Sequence, residues 1–523
     1  MAIELQREPI QVSEDLSGAA VQTVVDTDII VPDSKPDVLR VLQVDAASVV
    51  NEKYIQKDHL TISGSVNYKI LYASDEPESQ QRVKSILYNA PFSQQVEIKG
   101  IDDTMLTSVK SDVVHVEFGI QNSRKINVKT VIELDSSVVR TVSEDVVCAL
   151  EGDLDLPCRK QVVHSYNLTA CKEDTFELGD ALAVPAGNPM IDEILKVDVE
   201  IDGKDVKVVN NKVVAKGNVN ICTLYVGTNG ELSSMEHQLG FTEVLDVNGM
   251  TSDMTSDVEY QIKKIDYKVT QDNDGDPSLV DFQMQVSAVT KAYAQSSVEV
   301  LSDLYSPDYD VALEQKSLAV HELVFGGVSQ NIIKDQVEIP ADQPSIVKIY
   351  NVIAKPYLEK AELQNGKVYV SGVIDTYLLY LSSASDSPVY SVKKEVPFTH
   401  TVEVPEAAGE VSPVVKLTVD HVNYSLNSAN DAEVRFVLSA DTRVLKTSAV
   451  NIITDVEIDE EARIDKSQQP SITIYFVQNG DCLWDIAKRY HTTVEEIASV
   501  NKIDPESTLA AAQQLLIPKR KAV

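Results

Sequence analysis

At 523 residues the chain is longer than the roughly 250 to 300 residues at which single hydrophobic cores stop growing, so three or four domains are expected. Hydrophobic residues at 43% and charged residues at 24% make an ordinary globular balance, which excludes a disordered chain. The formal net charge of −35 excludes a nucleic-acid backbone or an anionic membrane surface as the main ligand, because both repel such a field.

The first residues, MAIELQREPIQVSEDLSG, show no basic segment followed by an apolar run. No stretch of about 18 apolar residues follows anywhere, so no membrane span is expected. The protein is therefore expected to stay inside the cell that makes it. Five cysteines, Cys148, Cys158, Cys171, Cys222 and Cys482, are odd in number and form no CxxC pair, which fits a reducing compartment without a disulfide framework.

Three copies of one pattern occupy most of the chain. IIVPDSKPDVLRVLQV, LAVPAGNPMIDEILKV and VEIPADQPSIVKIYNV share a Pro and, four residues on, a second Pro (Pro36, Pro189, Pro344). A Gly follows 28 residues later (Gly64, Gly217, Gly372) and a Tyr eight beyond that (Tyr72, Tyr225, Tyr380). The copies stand 153 and 155 residues apart, a length that makes each a whole domain and not a solenoid unit. Around each Gly, apolar and polar residues alternate with the period of a half-buried strand: Leu60 to Tyr72, Val213 to Tyr225, Val368 to Tyr380. A Gly in mid-strand predicts a bulge or a close backbone approach. The stretches VLRVLQV and IDEILKV read equally as strands or as single helices.

Each copy continues with an anchor Phe (Phe92, Phe241, Phe398) and further alternating runs, INVKTVIEL, VDFQMQVSAV and AEVRFVLSA. The fold class expected is mainly β: three homologous antiparallel β domains, sandwich or barrel, over residues 1–155, 156–305 and 306–455, followed by a small βααβ domain. At the first junction Cys148, Cys158, His164 and Cys171 lie within 24 residues, but their loose spacing favours apolar packing over a zinc set. In QDNDGDPSLVD the acidic residues do not fall at calcium-loop positions, and a hairpin turn is the better reading. Eight scattered histidines form no HExxH, and neither a Walker A string nor a GxSxG elbow occurs. No catalytic residues, metal or cofactor are expected.

Residues 456–472, beginning VEIDEEARIDKSQQP, read as a linker. The segment 473–519 differs in kind. From Ser471 onward six Lys/Arg balance six Asp/Glu, so the whole −35 precedes it. SITIYFVQ predicts a strand. GDCLWDIAKRYH predicts a helix with Asp481 as N-cap and Leu483, Ile486, Ala487 and Tyr490 on its inner face. Thr493 and Glu496 offer a capping box for a second helix, and QQLLIP predicts a closing strand. The only tryptophan, Trp484, reads as well as a packing residue as a contact for a ligand or partner. Lys519, Arg520 and Lys521 form a short basic tail.

This order, and the string YFVQNGDCLWDIAKRYHTTVEEIASVNKIDPESTLAAAQQLLIP, resemble the LysM family. The resemblance implies binding of N-acetylglucosamine glycans, as in peptidoglycan, in a groove between two loops. Those loops map to Gly480, Asp481, Cys482 and Leu483, with Trp484 beside them, and to Asn501, Lys502, Ile503, Asp504 and Pro505. Two departures weaken the glycan inference: Cys482 stands where Thr or Ser is usual, and Ala511 and Ala512 replace a Pro-Gly pair. The three repeats with a terminal LysM segment resemble the SPOCS-domain family of endospore-forming bacteria. That resemblance implies a non-catalytic assembly scaffold on the mother-cell side of the forespore surface, docking on a spore-coat basement ATPase and other coat proteins. The rival reading is a cell-wall-associated protein that uses the LysM segment to bind peptidoglycan directly.

Overall fold

In the computed structural model, residues 4–519 are described except 19, 76–81, 153, 155, 383–387, 406–408 and 468–469. The first repeat comprises β1 (Glu4–Asp15), β2 (Val21–Ile30), β3 (Val38–Gln56), β4 (His59–Ser74), β5 (Val83–Glu97), β6 (Leu106–Asn122) and β7 (Lys125–Glu151). In the second, one strand, β8 (Cys158–Ala183), takes the place of β1 and β2. It is followed by β9 (Ile191–Val209), β10 (Lys212–Gly227), β11 (Leu232–Asp246), β12 (Thr255–Thr270) and β13 (Leu279–Leu304). The third repeats this order as β14 (Tyr309–Glu338), β15 (Ile346–Gln364), β16 (Lys367–Ser382), β17 (Val389–Glu403), β18 (Glu410–Ser428) and β19 (Asp431–Arg463). The stretches VLRVLQV and IDEILKV, open between strand and helix in the sequence, lie in β3 and β9.

Each repeat is a sandwich of two antiparallel sheets. In the first, β3-β4-β5 packs on β2-β7-β6. The alternating residues Leu60, Ile62, Val66, Tyr68, Ile70 and Tyr72 all point into this core, which Ile126, Val128, Ile132 and Leu134 of β7 complete from the other sheet. Burying this face of β4 is what fixes its register, because a one-residue slip would turn every one of these side chains outward.

The Pro-Gly-Tyr frame acquires a physical cause. Gly64, Gly217 and Gly372 lie directly opposite Phe92, Phe241 and Phe398 on the next strand, at equivalent places in the three repeats. On the other side the ladder shifts register at each, at Val50/Glu52, Lys216/Gly217 and Leu358/Lys360. A Cβ on Gly64 would stand 2.3 Å from the Val49 carbonyl, and one on Gly372 2.0 Å from that of Tyr357. Only Gly lets the bulged neighbour and the Phe ring close over the strand. The three Tyr hydroxyls donate to the carbonyls of Pro36, Pro189 and Pro344 at 3.0, 2.9 and 2.8 Å, clasping the entry of each sheet.

The three repeats close around a pseudo-threefold axis. The strands β7, β8, β13, β14 and β19 run far beyond their sandwiches, as 26 to 33 residues each, and pair with one another or with β1 as three long arms. Each arm touches the other two. Their shared core sets Ile10, Val163 and Leu318 against Val146, Val300 and Ile452. A second shared core, holding Leu71, Leu224 and Leu379, joins the inner sheets. Ion pairs stitch each interface. Lys35 and Lys84 meet Glu193, and Lys53 meets Glu173, between repeats one and two. Lys416 meets Glu259 and Arg443 meets Asp257 between two and three; Arg7 meets Asp455 and Lys316 meets Glu144 between one and three.

Candidate functional site

The last module has β20 (Ile472–Phe476) paired antiparallel with β21 (Gln514–Pro518), and between them α1 (Leu483–Arg489) and α2 (Val494–Asn501). Leu483, Ile486, Ala487, Ile497, Leu515 and Ile517 form its core, with Tyr490 and Ile503 packed against it. At the first loop the expectation for Asp481 needs correction. The N-cap of α1 is Cys482, whose thiol donates to Asp485 Oδ2 at 3.1 Å without capping the backbone. Asp481 instead accepts from the Tyr475 hydroxyl at 2.6 Å and from the Gln478 N–H at 2.8 Å. These two donors hold its carboxyl below its ordinary value. Gly480 makes the turn at φ +95.

At the start of α2 the expected capping box is present, and the second loop follows the helix. Thr493 Oγ1 accepts from the Glu496 N–H at 3.2 Å, and Glu496 Oε2 accepts from the Thr493 N–H at 3.3 Å. Asn501 is fully used by the fold: its Nδ2 donates to the Ile497 carbonyl at 2.8 Å and the Leu516 carbonyl at 2.6 Å, and its Oδ1 accepts from the Leu516 N–H at 2.8 Å. Lys502 ends α2 in the left-handed conformation at φ +53. Asp504 accepts from the Glu506 N–H at 2.9 Å. Ala512 sits at φ +64 in the turn before β21, where it donates to the Val477 carbonyl.

Of the residues singled out in the sequence, then, Leu483 and Ile503 meet in one core, and Asn501 locks α2 to β21. Gly480, Lys502, Asp504 and Pro505 are exposed; Asp481 and Cys482 are half-buried. Of the basic tail, Lys519 is exposed only in part, and Arg520 and Lys521 lie outside the described residues.

Trp484 leaves the loops altogether and joins the module to the body. Its Nε1 donates to Asp303 Oδ2 at 2.8 Å, while Lys488 Nζ meets Asp303 Oδ1 at 2.6 Å. Its ring stands edge-on to Tyr305 with centroids 5.0 Å apart, and the Tyr305 hydroxyl donates to the Thr492 carbonyl at 3.0 Å. Sequence reasoning missed Asp303, near the end of β13, and Tyr305, just past it at the junction with the third repeat, which fall outside any periodic pattern. The one signal for them is an aromatic residue beside Ser306-Pro307 in that junction. Nor is 456–472 a free tether: β19 continues to Arg463, paired with β14, and Lys466 then meets Asp308 at 2.9 Å. The strand pairing of Val456 with Leu313 and Ile458 with Val311 absorbs the first half of that segment.

A second candidate is a cavity of about 1450 Å³ on the pseudo-threefold axis, lined by all three repeats. Equivalent positions in its lining, with Lys196 buried just behind it, differ in chemistry: Gln43, Lys196 and Asn351; Asp45, Asp198 and Ile353; Lys69, Cys222 and Tyr377. Lys196 is wholly buried and meets Asp45 at 2.5 Å and Asp198 at 3.0 Å. Burial alone would lower its pKa, but the two carboxylates outweigh it and keep Lys196 charged. Lys69, donating to the Val197 carbonyl, is pushed down by burial.

The four residues Cys148, Cys158, His164 and Cys171 are engaged apart. Cys148 lies in the arm core and Cys158 is exposed, His164 Nδ1 is 2.7 Å from Ser297 Oγ, and Cys171 Sγ reaches the Thr107 carbonyl. Among the described residues no group of three or more His, Cys, Asp or Glu converges as metal ligands would. In the loop after β12, Asp272 accepts from the N–H groups of Asp274 and Asp276 and from the Ser278 hydroxyl, as a turn requires. No helix is long and apolar enough to cross a membrane among the described residues.

Residues 37–121, 190–270 and 345–427 match the family described as SipL, SPOCS domain, and residues 475–518 match the LysM domain. Each of the three matches begins directly after the second Pro of its repeat and ends near the close of β6, β12 or β18, leaving the long arms outside. No curated protein and no solved structure matches the chain.

Proposed function

Since the chain is a SPOCS-domain protein that carries three such repeats and a C-terminal LysM domain, we propose that it is a non-catalytic scaffold of spore-coat assembly. In this reading it acts on the mother-cell side of the forespore surface, with the LysM domain and the repeats as separate binding faces for coat proteins, a coat-basement ATPase among them. Its domain content fits a sporulation-associated protein capable of binding peptidoglycan. The observation that favours a scaffold is the fork of Asp303 and Tyr305 on Trp484, Lys488 and Thr492. A module clamped in this way presents its loops at a set distance and angle from the acidic repeats, and two faces held in one geometry bind a two-site partner with a high effective concentration.

The rival reading, direct binding of peptidoglycan, meets two obstacles at the loops. Cys482 offers a thiol already committed to Asp485 in place of a hydroxyl, and Asn501 has no free amide left for a sugar. Titration of the full chain with a soluble N-acetylglucosamine oligomer is expected to show weak binding or none. A fluorescent fusion is expected to encircle the forespore in sporulating cells, and to lose that position when residues 471–523 are removed. Stoichiometric glycan binding would favour the rival, and a diffuse fusion would overturn the scaffold reading.

A further inference from the structure

The face of β20 turned away from the module core is apolar and open. Ile472, Ile474 and Phe476 are 53%, 57% and 61% exposed, while their neighbours Thr473 and Tyr475 turn inward. Across the ladder Ile474 pairs with Leu516 and Ile472 with Pro518, extending the same apolar surface. Among the described residues the sheet has only these two strands, which leaves β20 with one free edge.

The backbone pattern places the free groups on the same three residues. The Ser471 carbonyl accepts from the Lys519 N–H, and the Val477 N–H donates to the Gln513 carbonyl. In an antiparallel ladder the groups of alternate residues face alternate sides. Residues 471, 473, 475 and 477 therefore face β21, and the N–H and C=O groups of Ile472, Ile474 and Phe476 face the open edge. Among the described residues no hydrogen bond reaches that edge. The equivalent edge of β21 is closed by the Asn501 side chain on Leu516.

We propose that this edge is a homodimer surface: β20 of a second copy pairs antiparallel with it, with Ile474 on the twofold axis. Five residues read in reverse then set Ile472 against the second copy's Phe476 and Ile474 against itself, so all three cross-strand pairs are apolar and each exchanges its backbone bonds. Charge selects a second copy as the occupant. The segment from Ser471 on is balanced, six Lys/Arg against six Asp/Glu, while the body before it carries the whole −35. Two bodies repel each other, and the module is the one part of the chain where two copies approach without that repulsion. A basic partner would be drawn to the body instead. A five-residue edge buries less than the roughly 800 Å² per partner of a stable interface, so the dimer is weak and concentration-dependent.

Sedimentation velocity of the full chain tests this. Monomer is expected at about 5 μM, with dimer appearing towards about 500 μM. Raising the salt from about 0.05 to about 0.5 M should strengthen the dimer, because it screens the bodies while leaving the apolar edge. Ile474→Pro removes an N–H that faces the open edge and spares the ladder to β21, and Phe476→Lys places a charge in the apolar row; both variants should stay monomeric. Val328→Lys, at a 69% exposed residue of β14, is the control and should dimerise like the parent. A parent that stays monomeric throughout, or a dimer that survives in both edge variants, overturns the proposal.

Discussion

Ala512 occupies a left-handed turn at φ +64 that a Gly would hold without steric cost. An L-residue with a Cβ costs about 1 to 2 kcal/mol in that conformation. Ala512→Gly should therefore stabilise the LysM domain by about 1 kcal/mol. Urea unfolding followed by the emission of Trp484, the only tryptophan, reads this directly, and an unchanged midpoint would show that the turn relaxes around the methyl. Gly64 and Gly372 present the converse case, since there the missing Cβ is what admits the carbonyls of Val49 and Tyr357. The position of Gly in the sequence was informative in the repeats, where the two-residue period surrounds it. It was equally informative by its absence at Ala512.

The contact between α1 and the junction of β13 with β14 changes the role of Trp484. Its indole is committed to Asp303 and Tyr305, so it acts as a positioning residue for the whole LysM domain. Truncating Tyr305 removes both the ring contact and the hydrogen bond to Thr492. In Tyr305→Ala the Trp484 emission is expected to move to longer wavelength and to become more accessible to acrylamide, with far-ultraviolet circular dichroism unchanged. Emission identical to the parent would mean that Trp484 is buried by the module alone. The helical spacing of α1 was legible because one face must fill a core. Its other face carries no such period, so the docking role of Trp484 and Lys488 was not.

Closure of the three repeats depends on carboxylates that face lysines across the interfaces. For Glu173, burial pushes the pKa up, but hydrogen bonds from Ser287 and Lys53 and the charges of Lys53 and Lys263 outweigh it, leaving it at about 2 against an ordinary 4.5. Glu193 and Glu259 are lowered in the same way, against burial, by Lys35 and Lys84 and by Lys416 and Lys291. A depressed carboxyl stabilises the fold fully above its unfolded pKa, and the contribution is lost as pH falls through the folded one. Stability against urea should therefore hold above about pH 5 and fall between about pH 4.5 and 2. Glu173→Gln should be less stable than the parent at pH 7 and show a flatter acid dependence. Parallel pH profiles for the two proteins would remove Glu173 from the account. At the axis, the Asp45, Lys196 and Asp198 set is the mark that distinguishes otherwise equivalent repeats, since the third carries Asn351 and Ile353 there.

By itself the sequence determined the buried faces of β4, β10 and β16 and the LysM order, because each rests on local periodicity: side chains alternate by two in those strands and recur at helical spacing in α1. The choice of sandwich over barrel, and of strand over helix for VLRVLQV and IDEILKV, came from the structure. Recurrence of Pro, Gly and Tyr at constant offsets carried the number of repeats, while the clasp of Tyr72 on the Pro36 carbonyl emerged only in the structure. Tertiary structure alone decided how the repeats meet: Ile10, Val163 and Leu318 stand at the repeat offsets of 153 and 155, but recurrence marks them as equivalent without showing that they pack on one another. It also decided the fate of residues 456–472, whose polar composition reads as linker but whose first half has a partner in β14. The same holds for the open edge of β20: alternation shows which side chains share a face, and only the assembled sheet shows that no strand among the described residues pairs with it.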